Sequence, residues 1–435
     1  VEALTGADAF FARLARDPDF DAEELRAFDA SDELLLATAA GELGGGAGNG
    51  PSGASGLAPG ELAVIGDRHG ALALGAVALL GARGVRVFQD PVLGERALHR
   101  NAQRLGIPEG EGFASHALDA TLLDGAKLVL VQLPRGLDAL DEIAQAIARW
   151  AHPDVRVLAG GRVKHMTRAM NDVLGRSFAE VSAGLGWRKS RVLAARGPRP
   201  ASEAAVSPFP RWGTDPDLRF SVAAFGATFG GPTLDHGSRL LLTGLADAAP
   251  GARRIVDLGC GNGVLGVSAA LARPGAHVIA TDQSAAAVRA TRLTAEAAGV
   301  LASGCGHDGG ASLTGTDAEV ESGELTGAGE PAGAGALALP GVCVHRADAL
   351  EAVPDGWAEL ILLNPPFHTG ATVHAGVAHR LIERCARALA PGGELRIVFN
   401  SHLRYRPLVE RAVGPSRQIA RDRTFTVLAA ARRER

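Results

Sequence analysis

Leu360-Ile-Leu-Leu-Asn-Pro-Pro-Phe-His368 closes an apolar strand on two adjacent prolines. Neither proline has an N–H to donate and both have a fixed φ, so the ladder stops there and the chain opens into a stiff turn. That turn presents an amide side chain (Asn364), a backbone carbonyl (Pro365) and an aromatic ring (Phe367) side by side. Well upstream, Arg254-Ile-Val-Asp-Leu-Gly-Cys-Gly-Asn-Gly263 is a second apolar strand, running straight into a glycine-rich turn. Both stretches sit in a chain where short apolar runs alternate with helix-length segments. That alternation predicts an α/β fold with parallel, doubly wound sheets.

Working outward, the second half reads as helix 237–246, strand 254–258, glycine turn, helix 264–272, strand 277–282, helix 285–298, strand 342–348, strand 358–363, helix 376–389 and strands 394–399 and 424–429. The first half follows the same programme. Helices are expected at 7–16 and 22–40, strands at 62–66, 85–90, 127–134 and 155–159, and helices at 70–80, 91–104 and 137–150. The halves can be superposed as text. Val87-Phe-Gln-Asp90 matches Ile279-Ala-Thr-Asp282, and Leu128-Val-Leu-Val-Gln-Leu-Pro-Arg135 matches Leu360 to Phe367. We read this as an internal duplication giving two tandem Rossmann-like domains. The first copy is degenerate: Asp257-x-Gly-x-Gly-x-Gly263 becomes Val64-x-Gly-x-Arg-x-Gly70, which removes an acid and puts an arginine where a cofactor would lie. The proline-rich stretch 196–216 is the candidate linker. The expected division is a first domain at 1–200, a linker at 201–216 and a catalytic domain at 217–435, with a disordered insertion at 301–340, rich in Gly, Ala, Ser and Thr.

Composition bounds what this chain can be. Its 435 residues suit two domains of ordinary size. No apolar run reaches the ~20 residues of a membrane span, and the N-terminus lacks a signal-peptide layout. The four cysteines are far apart and read as reduced thiols of a cytoplasmic protein. With three lysines against forty-one arginines, the basic residues reflect a GC-rich genome rather than a function. A net charge of −4 argues against a protein that coats nucleic acid, while leaving room for one local basic surface.

Gly259, Gly261 and Gly263 would form a tight turn at a helix N-terminus, with backbone N–H groups facing a ligand. Such a turn alone suits dehydrogenases equally well. The acids around it favour S-adenosylmethionine. Asp257 could meet the amino-acid end of that cofactor, directly or through water, or could simply order the loop as a cap. Asp282 ends the next strand and can accept both ribose hydroxyls, or cap the helix after Ser284. Asp348 closes a third strand and could accept the adenine amino group, with the Ala349 N–H as a donor to the ring. Asn364 and the Pro365 carbonyl could then accept both hydrogens of an exocyclic amine whose lone pair is delocalised into its base. Phe367 would stack on that base, and Pro366 and His368 would line the substrate side. The chemistry implied is a direct displacement at a sulfonium methyl, with alignment as its main requirement. A target inside a paired stem would first be flipped out. His368, His374 and His379 lie near one another, yet no acid or cysteine completes a ligand set, so no metal is expected. The run Trp187-Arg-Lys-Ser-Arg191, with Arg196, Arg199, Arg211 and Trp212, is either an RNA grip or a solvated linker.

The second half resembles the bacterial ribosomal RNA guanine-N2 methyltransferases of the tandem-domain type. The resemblance rests on Phe229-x-x-x-x-Leu-Asp-x-Gly-Ser238, Val256-Asp-Leu-Gly-Cys-Gly-Asn-Gly-Val264, Asn364-Pro-Pro-Phe-His368 and Gly393-Glu-Leu-Arg-Ile-Val398. Asn400-x-His-Leu-x-Tyr405 looks more like the branch acting on the large subunit. Thr294 stands where helices of that family often carry Asn. The resemblance implies S-adenosylmethionine as cofactor, ribosomal RNA as partner, Phe229 on the substrate side and a first domain that supports folding or RNA recognition. A monomer is expected. Two other readings stay open on the residues alone: a methyltransferase for the glutamine side chain of release factors, and a non-catalytic RNA-binding protein that keeps the fold.

Overall fold

The computed structural model describes residues 4–21, 25–44, 56–200, 208–303, 340–366 and 372–433. The expected insertion falls almost wholly outside them, as do Phe367 and His368.

In the first half the strands are β1 (Leu62–Ile65), β2 (Val85–Phe88), β3 (Phe113–Ser115), β4 (Leu128–Gln132), β5 (Arg156–Arg162), β6 (Phe178–Ala183) and β7 (Ser190–Pro198). They form one sheet in the order β3-β2-β1-β4-β5-β7-β6. A small hairpin follows, β8 (Arg211–Gly213) with β9 (Val222–Ala224). The second half supplies β10 (Arg254–Leu258), β11 (His277–Asp282), β12 (Gly341–Arg346), β13 (Ala358–Leu363), β14 (Leu389–Asn400), β15 (Ser416–Arg421) and β16 (Phe425–Ala431). Their order is β12-β11-β10-β13-β14-β16-β15, the same permutation as in the first half. The two sheets are copies of one design. Five strands of each run parallel and the last two close the edge antiparallel, so the sheets are mixed rather than wholly parallel.

The central strands are apolar on both faces because helices cover both faces. In β13, Leu360 and Leu362 join the core on one side, with Ile255 and Val278, while Ile361 and Leu363 join the other, with Val256 and Leu258. The period of two along a strand divides four consecutive apolar residues between two cores.

The copies meet through equivalent strand ends. Asp90, which occupies the place of Asp282 in the first copy, receives the Ala285 N–H on its carbonyl and the Ala286 N–H on its carboxylate, both at 2.9 Å. It thereby caps the helix Ala285–Ala297 of the other domain. The Val92 N–H donates to the Gln283 carbonyl at 2.9 Å. Arg346 reaches across to the carbonyls of Gln89 and Asp90 and to Glu95. Farther along, Arg211 pairs with Asp138 and Asp141, and Glu142 accepts from the Gly226 N–H.

Residues 211–213, inside the expected linker, form β8, and Arg211 in it pairs with Asp138 and Asp141 of the first half. Within the basic run, Arg188 pairs with Glu33, Arg196 with Glu42 and Arg211 with Asp138 and Asp141. Cys260 and Cys385 are buried free thiols as expected, but Cys343 is disulfide-bonded. Thr294, in the place of the family's Asn, accepts the Ala223 N–H at 3.0 Å and so anchors β9 to the cofactor-side helix.

Candidate active site

The strand order reverses between β10 and β13, and in α/β sheets ligands settle at the carboxyl ends of strands beside that reversal. The register pairs Leu258 with Leu363, so Gly259 and Asn364 leave neighbouring strands at the same level. Asp282 and Asp348 leave β11 and β12 on the same edge of the sheet. The fold therefore brings together most of the residues the sequence singled out.

The glycine turn requires glycine. Gly259, Gly261 and Gly263 have φ of 74°, 57° and 84°, a region costly for residues with a Cβ. Gly259 and Gly261 face open space, where a backbone can approach a ligand closely, and at Gly263 a Cβ would press on Thr291. Asp282 fastens the turn, with Oδ2 accepting from the Gly261 N–H at 3.1 Å and Oδ1 from the Ser284 N–H at 2.9 Å. Burial pushes its carboxyl up to about 6, opposed by those N–H donors and assisted by nearby Asp90. Asp257 is fully buried beneath the following helix, where Oδ2 accepts from the Gly266 N–H at 2.7 Å. Its Oδ1 has no partner among the described residues, and burial pushes this carboxyl up to about 7. One oxygen of this carboxylate orders the loop and the other is left without a partner among the described residues.

Asp348 is buried and receives Arg380 on one oxygen and Arg384 on the other, each at 2.9 Å. One lone pair on each oxygen remains for a further donor. Ala349 has φ 55°, and its N–H has no partner among the described residues.

Asn364 has the most telling surroundings. Its Nδ2 donates to Asp235 Oδ1 at 3.1 Å and to Ser238 Oγ at 3.0 Å. A carboxylate only accepts, so Asp235 fixes which end of the amide faces it. The Asn364 Oδ1 is buried and unpartnered among the described residues. Beside it, the Pro365 carbonyl also accepts nothing from those residues. Two bare acceptors thus stand next to the glycine turn. Pro366 is exposed and Phe229 is half exposed, on the segment leading to Asp235. Asn262 Nδ2 ties that segment to the turn through the carbonyls of Gly231 and Thr233, both at 2.9 Å. Reading the sequence missed Asp235 and Ser238 as site residues, although they lie inside the Leu-Asp-x-Gly-Ser motif.

A cofactor fits this copy, with its open glycine cradle, orphaned Asp257 oxygen and unused Ala349 N–H. It does not fit the other. There Asp67 stands in the place of Cys260, and its carboxylate accepts the Leu72 and Ala73 N–H groups, filling the helix N-terminus. Arg68, in the place of Gly261, has φ 55°. The amide contact nonetheless persists: Gln132 donates to Asp32 and Ser31, at the start of the helix Ala30–Gly44.

The RLMG N-terminal domain family matches residues 4–199, and the methyltransferase small domain matches residues 219–320 and 298–429. A ribosomal RNA large subunit methyltransferase G of Streptomyces griseus is 32% identical over 425 residues, covering 97% of each chain. That of Stutzerimonas stutzeri is 31% identical, covering 95% of this chain and 96% of its own. The chain belongs to the ribosomal RNA large subunit methyltransferase G family. Among solved structures, the T. thermophilus 16S rRNA N2 methyltransferase RsmC, in complex with AdoMet and guanosine, shares the fold of both domains of this family member. Its TM-score is 0.63 at 19% identity, over 93% of this chain and 92% of that one.

Proposed function

We propose that the chain methylates the exocyclic N2 amine of one guanine in large-subunit ribosomal RNA, with S-adenosylmethionine as the methyl donor. The observation that carries this reading is the Asn364 amide, pinned through its nitrogen and bare at its oxygen. Asn364 Oδ1 and the Pro365 carbonyl accept hydrogen bonds from the two amine N–H groups, which draws the nitrogen lone pair out of conjugation and aims it. Bound S-adenosylmethionine supplies an electrophilic methyl group. Gly259, Gly261 and Gly263 seat it with their backbone, Asp282 accepts the ribose hydroxyls, Asp257 acts on the amino-acid end through water, and Asp348 and Ala349 read the adenine. Phe367 and Phe229 stack on the base, and Pro366 and His368 border it. The chain supplies alignment rather than covalent chemistry. We place it in the cytoplasm as a monomer; no described helix is long and apolar enough to cross a membrane. The first domain is α/β and duplicated, which leaves the protein-glutamine reading without support.

The test is labelled methyl transfer to unmodified 16S and 23S RNA, free and in subunits, followed by nucleoside analysis. N2-methylguanosine in 23S RNA, reduced about 10²–10³-fold by Asn364→Ala with cofactor affinity unchanged, is the expected result. Cofactor binding without label in any RNA would overturn it.

A further inference from the structure

Beyond β14 lies a cleft that none of the assigned roles uses. Its volume is about 550 Å³, and it is lined by Asn400, Ser401, His402 and Arg404, after β14, and by Arg421 at the end of β15 with Arg423 and Thr424 in the turn that follows. Every described side chain lining it is polar. Arg404, Arg421 and Arg423 are exposed, and their side chains have no ion pair or hydrogen bond among the described residues. Their neighbours differ: Arg406 is paired with Glu410 and Arg417 with Glu394. The one acid in the turn, Asp422, directs Oδ1 to the Thr424 and Phe425 N–H groups at 2.7 and 2.6 Å. Arg404 is held at φ 51°, a conformation that L residues seldom adopt and that gathers at ligand sites.

The cleft adjoins the reacting centre. Leu363 pairs with Ile397, so Asn364 is level with Val398, and Asn400 lies two residues farther along the adjacent strand. Strand spacing and rise put that at roughly 8 Å. His236, the residue after Asp235, is near enough to Asp422 to help hold its carboxyl below the usual range, after the two backbone N–H donors.

The first copy adds an independent argument. The same place in its fold, the end of β5, carries Arg162, Lys164 and His165. Arg135 and Arg68 face them, and after burial the charges of Arg135, Lys164, Arg68 and Arg162 hold the His165 imidazole below its usual range. Arg68 also has the buried Asp32 nearby. This copy has lost the cofactor turn yet keeps cations at the equivalent edge.

We propose that the Asn400–Arg423 cleft binds the sugar-phosphate backbone of the RNA beside the flipped guanine. Arginine forks there would grip non-bridging phosphate oxygens, with Ser401 and Asn400 on the ribose. This rests on the RNA reading above. Unpaired arginines on a chain of net charge −4 make it a local grip that sets register rather than a coating surface.

The test combines Arg404→Gln, Arg421→Gln and Arg423→Gln, singly and together, with Arg83→Gln on the far end of the first sheet as a charge control. Binding to unmodified 23S RNA is measured across salt concentrations, and S-adenosylmethionine binding by calorimetry. The triple variant should bind RNA at least about tenfold more weakly, with a salt slope shallower by about 0.7–0.9 for each phosphate no longer neutralised. Cofactor affinity should stay as in the wild type, and the control should not move. A triple variant with wild-type RNA affinity and slope overturns the cleft while leaving the function intact. A shift in cofactor affinity also overturns it, by assigning the arginines to the other ligand. Wild-type protein that neither binds nor labels RNA fails the functional reading itself, before any variant is compared.

Discussion

Asp235 and Asn364 form a relay in which one residue never needs to meet substrate. Asp235 Oδ1 accepts the Gly237 and Ser238 N–H groups, capping the helix His236–Leu242, while it also takes the Asn364 amide. Asparagine caps a helix about as well as aspartate, so Asp235→Asn should leave the melting temperature near wild type. It does, however, remove the rule that only a donor may face it, and the Asn364 amide can then turn over and offer NH2 to an amine. Turnover should fall at least about tenfold with cofactor affinity unchanged, measured by labelled methyl transfer; equal turnover would refute the relay. Charge at this scale also predicts a pH dependence. Burial raises Asp257 to about 7 and Asp282 to about 6, against about 3.9 in an unfolded chain. The folded state therefore holds more protons than the unfolded one between these values. The contribution is fully stabilising below pH about 4 and is lost as pH climbs through 6 to 7. Cofactor binding runs the opposite way, because hydroxyls and an ammonium group favour ionised carboxylates. Affinity for S-adenosylmethionine should rise from pH 5 to 8 in calorimetry, and Asp282→Asn should flatten the rise. A flat wild-type profile would exclude this linkage.

At the scale of elements, the two glycine turns form a natural mutation pair. Arg68 already occupies the Gly261 position of the first copy at φ 55°, close to the 57° of Gly261 itself. The turn can thus hold an arginine at a cost of about 1–2 kcal/mol for the left-handed backbone. Gly261→Arg should fold, with an ordinary circular dichroism spectrum and a modestly lower melting temperature, and bind no cofactor. Retained cofactor binding would show that the first copy is silent for some other reason. The same comparison explains what could be read from sequence. β10, β11 and β13 were legible because each carries a short buried apolar run, Ile255-Val256, Val278-Ile279-Ala280 and Leu360 to Leu363. β6 and β15 were not, because they are outer strands whose residues, Phe178 aside, are exposed or half-buried and give no such run, and β3 is only three residues long. The glycine turn and Asn364 were legible since each lies within a few residues of its strand. The Asp235–Asn364 contact joins residues 129 apart, and nothing local to either announces the other.

At the scale of the molecule, the first copy touches the second through the element both share. Asp90 stands where Asp282 stands in the other half, yet its carboxylate caps the helix that begins just after Asp282. Burial raises its pKa, with Arg346 and Arg289 nearby acting to lower it. Arg346 is the strut of this junction, since it leaves β12 on the cofactor edge and ends on Gln89, Asp90 and Glu95 of the first domain. Its bonds cross from one sheet to the other, so Arg346→Ala should leave each domain core intact and loosen only the seam. The loop of Gln283 and Ser284 would then lose part of its backing, and Asp282 with it. A charge-assisted hydrogen bond contributes about 1.5–3 kcal/mol, and a fraction of one such bond reaching Asp282 corresponds to several-fold weaker cofactor binding. Calorimetric unfolding should also broaden, because two domains that share a seam separate in stability once it is cut. Arg346→Lys keeps the charge without the fork and should restore only part of the affinity. If Arg346→Ala binds S-adenosylmethionine as the wild type does, the seam only joins the domains and the first copy gives the cofactor site no support through it.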